Sequence, residues 1–235
     1  MKVQFSLLSL VALAVGCSAP KGYVPKKVAQ STPTSLDAAT PADLMPLKVG
    51  NRWTYAMETQ TSAPGAPPEQ AELVFEVQSV TPKGDGNAAI IRVLRDNQEV
   101  DRQTWLVNSK GLYQTTGLIG STQVAFAPPQ PLVLFPLKDL ADFEWKGKGV
   151  CPDGKQGTMR SKSKVLGVMD VDTALGTKSG IAVESKQDFQ SSALKGGMAV
   201  TTWYAPKIGI IRIKQTTVVP KGAITTTLRL TKAPA

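Results

Sequence analysis

The chain has 235 residues, 42% of them hydrophobic, which is enough for one sizeable domain with a core. It contains no histidine, which excludes Ser-His-Asp and Cys-His nucleophilic sites and most zinc sites. The net charge of +9 is uneven: residues 1–145 carry 12 Lys and Arg against 13 Asp and Glu, whereas residues 146–235 carry 15 against 5. A basic half favours anionic partners such as lipid head groups or polysaccharide, and solvated strand faces are the alternative interpretation.

The first seventeen residues predict export. Lys2 precedes an apolar run from Val3 to Val15, which is too short to span a bilayer but suits the apolar region of a signal peptide. The run ends in Leu-Ala-Val-Gly-Cys at residues 13–17, which resembles a bacterial lipobox. The resemblance implies cleavage before Cys17 and its acylation, so that two or three acyl chains hold the protein on a membrane. In a bacterium with two membranes, Ser18 in place of Asp at the next position resembles the sorting pattern for the outer membrane, facing the periplasm.

Residues 18–43 are rich in Ala, Pro, Ser, Thr and Lys and show no apolar period. This composition predicts a disordered tether to a domain that begins near Leu44. The second cysteine, Cys151, lies in a Cys-Pro-Asp-Gly turn and cannot pair with an acylated Cys17. We interpret it as a loop thiol without a role, and pairing between chains or a reactive thiol are the alternatives.

From residue 44 onward, short alternating segments separated by turns predict antiparallel hairpins in sequence order, and no helical stripe is present. At the first strand, alternation places Trp53, Tyr55 and Met57 on one face. The prolines of Ala127–Pro131 predict a break. The predicted strands are 53–57, 72–80, 88–95, 100–107, 112–116, 158–168, 181–189, 198–204, 210–219 and 224–231.

Two sequence patterns occur twice. Pro-Leu-Lys at 46–48 returns at 136–138, and each copy is followed by a tryptophan, Trp53 or Trp145. Thr-Trp pairs that end at Trp105 and Trp203 are each followed by glycine six residues after the tryptophan. We therefore predict an all-β fold of two similar units, 44–126 and 127–235, in one domain of eight to ten strands. The sheets form either a β-sandwich or one strongly curved half-barrel.

Three stretches carry a family resemblance. They are the Pro-Leu-Lys-x-Gly-x-x-Trp-x-Tyr opening at 46–55, the stretch Val171–Glu184 around Gly176, and Thr-Trp-Tyr-Ala-Pro-x-x-Gly at 202–209. Together they resemble bacterial exported proteins of unknown function, with a curved β-sheet domain similar to the lipoprotein carrier and receptor folds of the LolA/LolB type. The resemblance covers most of residues 44–232 and implies no catalytic residue.

Two groups of candidate site residues follow. The first is a basic patch for an anionic partner, with a plain charged outer face as the alternative: Arg160, Lys162, Lys164, Arg212 and Lys214. The second comprises the tryptophans, whose matched positions favour core anchors over a ligand pocket: Trp53, Trp105, Trp145 and Trp203. Aromatic residues do not interleave the basic patch, so nucleic acid is not an expected partner.

The carboxylate pairs have structural interpretations. Glu72 and Glu76 share the exposed face of a strand, and Asp170 and Asp172 lie at a turn, where Asp bonds to backbone. We therefore expect no catalytic residue, no metal site and no cofactor. The sequence predicts a non-enzymatic, lipid-anchored envelope protein whose domain binds an apolar ligand or a partner protein. The alternative is a scaffold lipoprotein that contacts anionic envelope components through its basic half.

The anchor has a direct test. Replacing Cys17 with Ser removes the thiol that acylation requires, so we expect the protein to leave the membrane fraction. The measurement is immunoblotting of membrane and soluble fractions after cell lysis. A variant that stays fully membrane-bound contradicts the lipoprotein interpretation.

Overall fold

The computed structural model of the protein describes residues 39–62, 65–119, 121–137, 142–220 and 222–234. The predictions for the signal peptide, for Cys17 and for residues 18–38 of the tether lie outside the described residues.

The described chain forms a closed barrel of twelve antiparallel strands in which each strand pairs with its neighbours in sequence and β1 pairs with β12. The predicted all-β meander is confirmed, and its strong curvature continues until the sheet closes. The twelve strands exceed the predicted eight to ten. They are β1 Arg52–Thr61, β2 Glu69–Lys83, β3 Gly86–Arg95, β4 Gln98–Asn108, β5 Gly111–Ile119, β6 Thr122–Leu134, β7 Asp142–Val150, β8 Gln156–Thr173, β9 Gly176–Ser191, β10 Lys195–Ala205, β11 Gly209–Val219 and β12 Gly222–Lys232.

A single turn of helix, α1 (Pro41–Leu44), precedes the barrel. Proline at its start and a reciprocal capping box between Thr40 and Asp43 stabilise it, so the last residues of the predicted tether 18–43 form regular structure. It packs against both β4 and β11, which are five strands apart around the barrel, and Leu44 is fully buried. The helix therefore lies across the barrel end at which β1 begins, called the α1 end below. In the described ranges, no helix is long and apolar enough to cross a membrane.

The first strand holds the barrel closed from inside. Trp53, Tyr55 and Met57 are buried on the face that the alternation predicts. The Trp53 indole Nε1 donates to the Ile208 carbonyl oxygen at 2.5 Å, and the Tyr55 hydroxyl donates to the Ile210 carbonyl oxygen at 2.9 Å. Both bonds cross the interior past β12 to the start of β11. These side-chain bonds connect β1 to the start of β11, in addition to the backbone bonds between β1 and β12.

Two strands, β6 and β7, were missed by the sequence prediction. The residues predicted as a break, 127–131, lie in the middle of β6, and the predicted unit boundary at 126/127 therefore cuts a strand. Proline lacks the backbone N–H that a ladder requires. As a result, the described register between β6 and β7 is a single pair, Ala127 with Lys148. This junction is called the β6–β7 seam.

Side chains close the β6–β7 seam where the backbone ladder is short. The Trp145 indole donates to the Pro128 carbonyl oxygen at 3.2 Å, and its ring centroid lies 6.2 Å from that of Phe126. The two rings lie over glycines of β7: a Cβ on Gly147 would be 2.5 Å from the Trp145 ring, and one on Gly149 would be 2.4 Å from the Phe126 ring. Glycine is therefore required at both positions.

The interior of the barrel is apolar near α1 and becomes partly polar farther along the strands. Near α1, the core contains Leu44, Trp53, Tyr55, Ile210 and Leu230, all essentially buried. Toward the other end, buried polar side chains project inward from most strands: Thr59, Asp101, Gln103, Gln114, Gln130, Ser161, Ser163, Gln187, Gln215, Thr217 and Thr226.

Gly209 provides a test of the closure. It has φ +102°, and an added Cβ would lie 2.6 Å from Trp53 Nε1. We expect Gly209→Ala to lower the free energy of unfolding by about 2–4 kcal/mol, because it combines left-handed backbone strain with overpacking. Urea denaturation followed by tryptophan fluorescence measures the loss. The matched control is Gly84→Ala, which has φ +61° but no atom within 4 Å of the new Cβ, so only the strain of about 1–2 kcal/mol applies. Equal losses for the two variants would contradict a closing role for Trp53.

Candidate functional site

The three predicted basic residues of β8 lie on the outer face of the barrel, and acidic side chains of neighbouring strands flank them. Lys162 Nζ lies 2.9 Å from Glu144 Oε1 on β7, and the hydrogen bond from Lys162 lowers the pKa of Glu144. Lys164 is in register with Asp142 on β7 and Glu184 on β9. Such exposed pairs contribute little to stability, but they reduce the net charge around the three basic residues of β8.

The other two predicted basic residues lie elsewhere. Arg212 and Lys214 are on β11, three strands from β8, a separation of about 14 Å at ordinary strand spacing. The Arg212 guanidinium lies 5.3 Å from the centroid of the Trp203 ring, and its pKa is lowered by burial and by Arg229. The structure therefore does not bring the five predicted residues into one patch.

A different basic surface is formed by β7, β8, β9 and the beginning of β10. An open groove of about 480 Å³ is lined by Lys146, Arg160, Lys195 and one carboxylate, Asp188. A second groove of about 450 Å³ adds Lys148. The two share Thr158 and Gln190 in their linings, so together they form one surface, called the distal groove because it lies at the barrel end away from α1. In it, four cationic side chains accompany one carboxylate.

Sequence reasoning found Arg160 but missed Lys146, Lys148, Lys195 and Asp188. The first two lie on β7, a strand that the sequence did not predict. A signal was present, since Lys146 and Lys148 alternate with Gly147 and Gly149 at the period of a strand. Lys195 and Asp188 reach the groove only because β10 and β9 pair beside β8, and sequence adjacency does not show this.

Three of the four tryptophans point into the barrel. The exposed fractions of Trp53, Trp105 and Trp145 are 0%, 2% and 6%. Trp203 differs: it is half-buried, next to Arg212, on the face opposite its buried neighbour Tyr204. The alternation within each strand sets the face: Trp105 is in phase with the buried Gln103 and Val107 of β4, whereas Trp203 is out of phase with the buried Val200 and Tyr204 of β10. A shift of one residue reverses the face of a side chain.

A cavity of about 30 Å³ lies inside the barrel. Its lining comes from β6, β8, β9 and β10 and includes Gln130, Gln187 and Tyr204. Ligand pockets for small organic molecules are typically about 300–1,000 Å³. This cavity therefore has no room for an acyl chain.

Three of the carboxylates considered for chemistry have polar partners on the surface. Asp170 accepts a hydrogen bond from Ser179 Oγ at 2.5 Å, and Asp172 accepts one from Thr177 Oγ1 at 2.9 Å. Glu76 lies 3.8 Å from Arg92. Across the part of the chain that the structure describes, no three His, Cys, Asp or Glu side chains are grouped to hold a metal ion.

Cys151 is buried, in contrast to an exposed loop thiol. The Gly154 backbone N–H donates to the Cys151 carbonyl oxygen at 2.9 Å, which closes the predicted turn. A Cβ on Gly157 would lie 2.5 Å from the Cys151 sulfur, so the thiol fills the space beside that glycine. Burial, together with Asp153, raises the pKa of the Cys151 thiol from 9.0 to about 11.

Comparisons with known proteins show the fold. No family model and no curated protein sequence matches the chain. A crystal structure of a protein of Parabacteroides distasonis, assigned as a lipoprotein, has a TM-score of 0.51 at 12% identity and covers 81% of this chain and 97% of its own. An exported protein of Bacteroides fragilis with a YmcC-like fold has a TM-score of 0.43 at 13% identity and covers 79% of this chain and 96% of its own. The hypothetical lipoprotein YmcC of Escherichia coli has a TM-score of 0.39 at 10% identity and covers 86% of this chain and 98% of its own.

At these identities the likeness to the P. distasonis protein shows a shared fold. The similarity to the LolA/LolB type stays a prediction.

The raised pKa of Cys151 predicts how stability depends on pH. The folded state holds the thiol proton more tightly than the unfolded state. The stability that the protonated thiol contributes is therefore complete below about pH 9 and is lost as pH rises toward 11. We expect unfolding free energy to fall by about 2–3 kcal/mol more in Cys17→Ser protein than in the Cys17→Ser/Cys151→Ala double variant over that range. Urea denaturation at a series of pH values measures this difference. The two proteins contain the same lysines and tyrosines, so the effect of titrating those residues cancels in the comparison. Parallel pH curves for the two proteins would show that the Cys151 thiol does not titrate abnormally.

Proposed function

We propose that this is a non-enzymatic exported protein, attached to the outer membrane through acyl chains on Cys17, that binds an anionic component of the envelope through the distal groove. The lipobox-like sequence at 13–17 supports the anchor, and the fold shared with a protein assigned as a lipoprotein agrees with that class. Ser18 after the cysteine supports the outer membrane, with the domain facing the periplasm.

The connection between anchor and barrel supports this arrangement. The chain that follows Cys17 enters the described structure at Ala39, and α1 lies across the barrel end next to it. The distal groove lies at the other end, where β7 ends and β10 begins. Strands of about ten residues extend about 33 Å, so the barrel body separates the groove from the attachment point. A partner in the periplasm can therefore reach the groove.

The charge of the distal groove is the observation that carries the proposal. Lys146, Lys148, Arg160 and Lys195 line it, and Asp188 is the single carboxylate in its lining. Converging cations raise the local concentration of anionic ligands and make charge-assisted hydrogen bonds to phosphate or carboxylate groups. The chemistry fits phosphorylated lipid head groups and acidic polysaccharide equally.

The cavity size weighs against the apolar-ligand hypothesis. The interior cavity of about 30 Å³ is about a tenth of the smallest typical ligand pocket. The distal groove, in contrast, is open and large enough for a charged group together with its neighbours. Recognition through the outer surface is therefore the function that the geometry supports best.

Binding assays on the unacylated Cys17→Ser protein test the proposal without contribution from the anchor. Anionic phosphatidylglycerol vesicles and a soluble acidic polysaccharide are the two probes, which also distinguish a lipid from a glycan source of negative charge. We expect Lys146→Glu/Arg160→Glu to weaken binding of the better probe by about 10-fold or more, since each charge near an anionic surface is worth about 1 kcal/mol. Wild-type binding should also weaken as salt rises.

The matched control makes the same change in charge at the α1 end. Lys83→Glu/Lys110→Glu replaces two exposed lysines near hairpin turns of that end. We expect it to retain most of the binding. Equal loss in both double variants would show dependence on net charge alone, and absence of binding to either probe at low salt would overturn the proposal.

A further inference from the structure

Three nearly fully buried polar side chains face the interior of the barrel on the side of β6, β8 and β9. They are Gln130, Ser161 and Gln187, with exposed fractions of 1%, 1% and 3%. Ser161 and Gln187 are direct register partners across β8 and β9. Gln130 projects from β6, the strand with the short ladder to β7.

Each of these side chains has an oxygen without a hydrogen-bond partner among the described residues: Gln130 Oε1, Gln187 Oε1 and Ser161 Oγ. The Gln187 amide nitrogen donates to Ser185 Oγ at 3.4 Å, and Ser163 Oγ donates to the same Ser185 Oγ at 3.0 Å. The network around the three oxygens is therefore only partly satisfied by protein atoms. Buried acceptors without donors are unfavourable, so they indicate an additional donor at this place.

Two of the three unpaired oxygens belong to residues that line the interior cavity. Gln130 and Gln187 both line the space of about 30 Å³, together with the hydroxyl-bearing residues Ser163, Ser185 and Thr202. A water molecule needs about 10–15 Å³ on this measure, and two to four polar partners. The cavity thus has the volume and the lining for two water molecules, and it is too small for a larger solute.

The chemistry of the lining selects a neutral occupant. Tyr204 is the one titratable residue in it, and burial raises the pKa of its hydroxyl, so the group is uncharged at neutral pH. A cation would have no carboxylate in the lining to balance its charge, and an anion would meet two amide oxygens. Water both donates and accepts, and so satisfies the oxygens and the hydroxyls together.

We propose that this cavity is an internal hydration site for two water molecules that bridge Gln130 of β6 to Gln187 of β9. The bridge lies directly behind the β6–β7 seam, where β6 has one described register pair with β7. It ties β6 from within to β9, three strands away, and compensates for backbone bonds that the prolines of β6 cannot make. The site is independent of the distal groove and of the anchor.

A crystal structure of the Cys17→Ser protein at about 1.8 Å resolution or better tests the site. We expect two density peaks in the cavity, within 3.5 Å of Gln130 Oε1 and Gln187 Oε1 respectively. In Gln187→Met, which keeps the length of the side chain but removes its acceptor, we expect the peak at position 187 to disappear. A dry cavity, or side chains that pair the two amides directly, would overturn the proposal.

Solution measurements cover the case of a variant that does not crystallise. We expect urea midpoints of Gln130→Met, Gln187→Met and the double variant to be non-additive, with the double losing less than the sum of the singles, because removing either amide disrupts one shared bridge. Gln215→Met is the matched control: this interior glutamine donates to Thr217 Oγ1 at 3.2 Å and is outside the lining of the cavity. We expect it to be additive with Gln187→Met. Full additivity for the Gln130–Gln187 pair would contradict the bridge.

Discussion

The structure depends on the joining of its first and last strands. β1 pairs with β12 along its length, and Trp53 and Tyr55 extend this contact by donating to backbone carbonyls at the start of β11. The strands involved are more than 150 residues apart in sequence, so their pairing pays a loop entropy that local hairpins avoid. Without this closure, β1 and β12 would each expose an edge, and unpaired edges promote aggregation. Gly209 permits the closure because Trp53 occupies the space that a side chain would need.

The opposite side of the barrel follows a different principle. Six strands separate the β1–β12 junction from the β6–β7 seam in either direction, and at the seam most of the contact is between side chains. Phe126 and Trp145 cover glycines of β7, and the Trp145 indole reaches the backbone of β6. The β6–β7 ladder is the shortest of the twelve described ladders, so we expect local stability to be lowest there and hydrogen exchange to be fastest.

The interior and the outer surface divide the functional possibilities between them. The interior is filled by aromatic and aliphatic side chains near α1 and by polar side chains beyond them, with a cavity of about 30 Å³. The outer surface carries the open distal groove, where cations from three strands converge. Elsewhere on β8, cations are balanced by acids one strand away, as Lys162 is by Glu144. Net charge counted along the chain therefore overestimated the charge of the predicted patch and did not locate the groove.

The sequence by itself determined the local properties of this protein. Alternation and turn residues were sufficient for the antiparallel all-β meander and for the buried face of β1, because strand period and turn chemistry are local. They failed at β6 and β7, where prolines and glycines hide strands that only neighbouring elements stabilise. The tertiary structure decided barrel closure, the outward face of Trp203 and the assembly of the distal groove. Barrel closure depends on pairing between strands distant in sequence. The groove and the face of Trp203 depend on the register of neighbouring strands, and packing against the rest of the barrel selects that register.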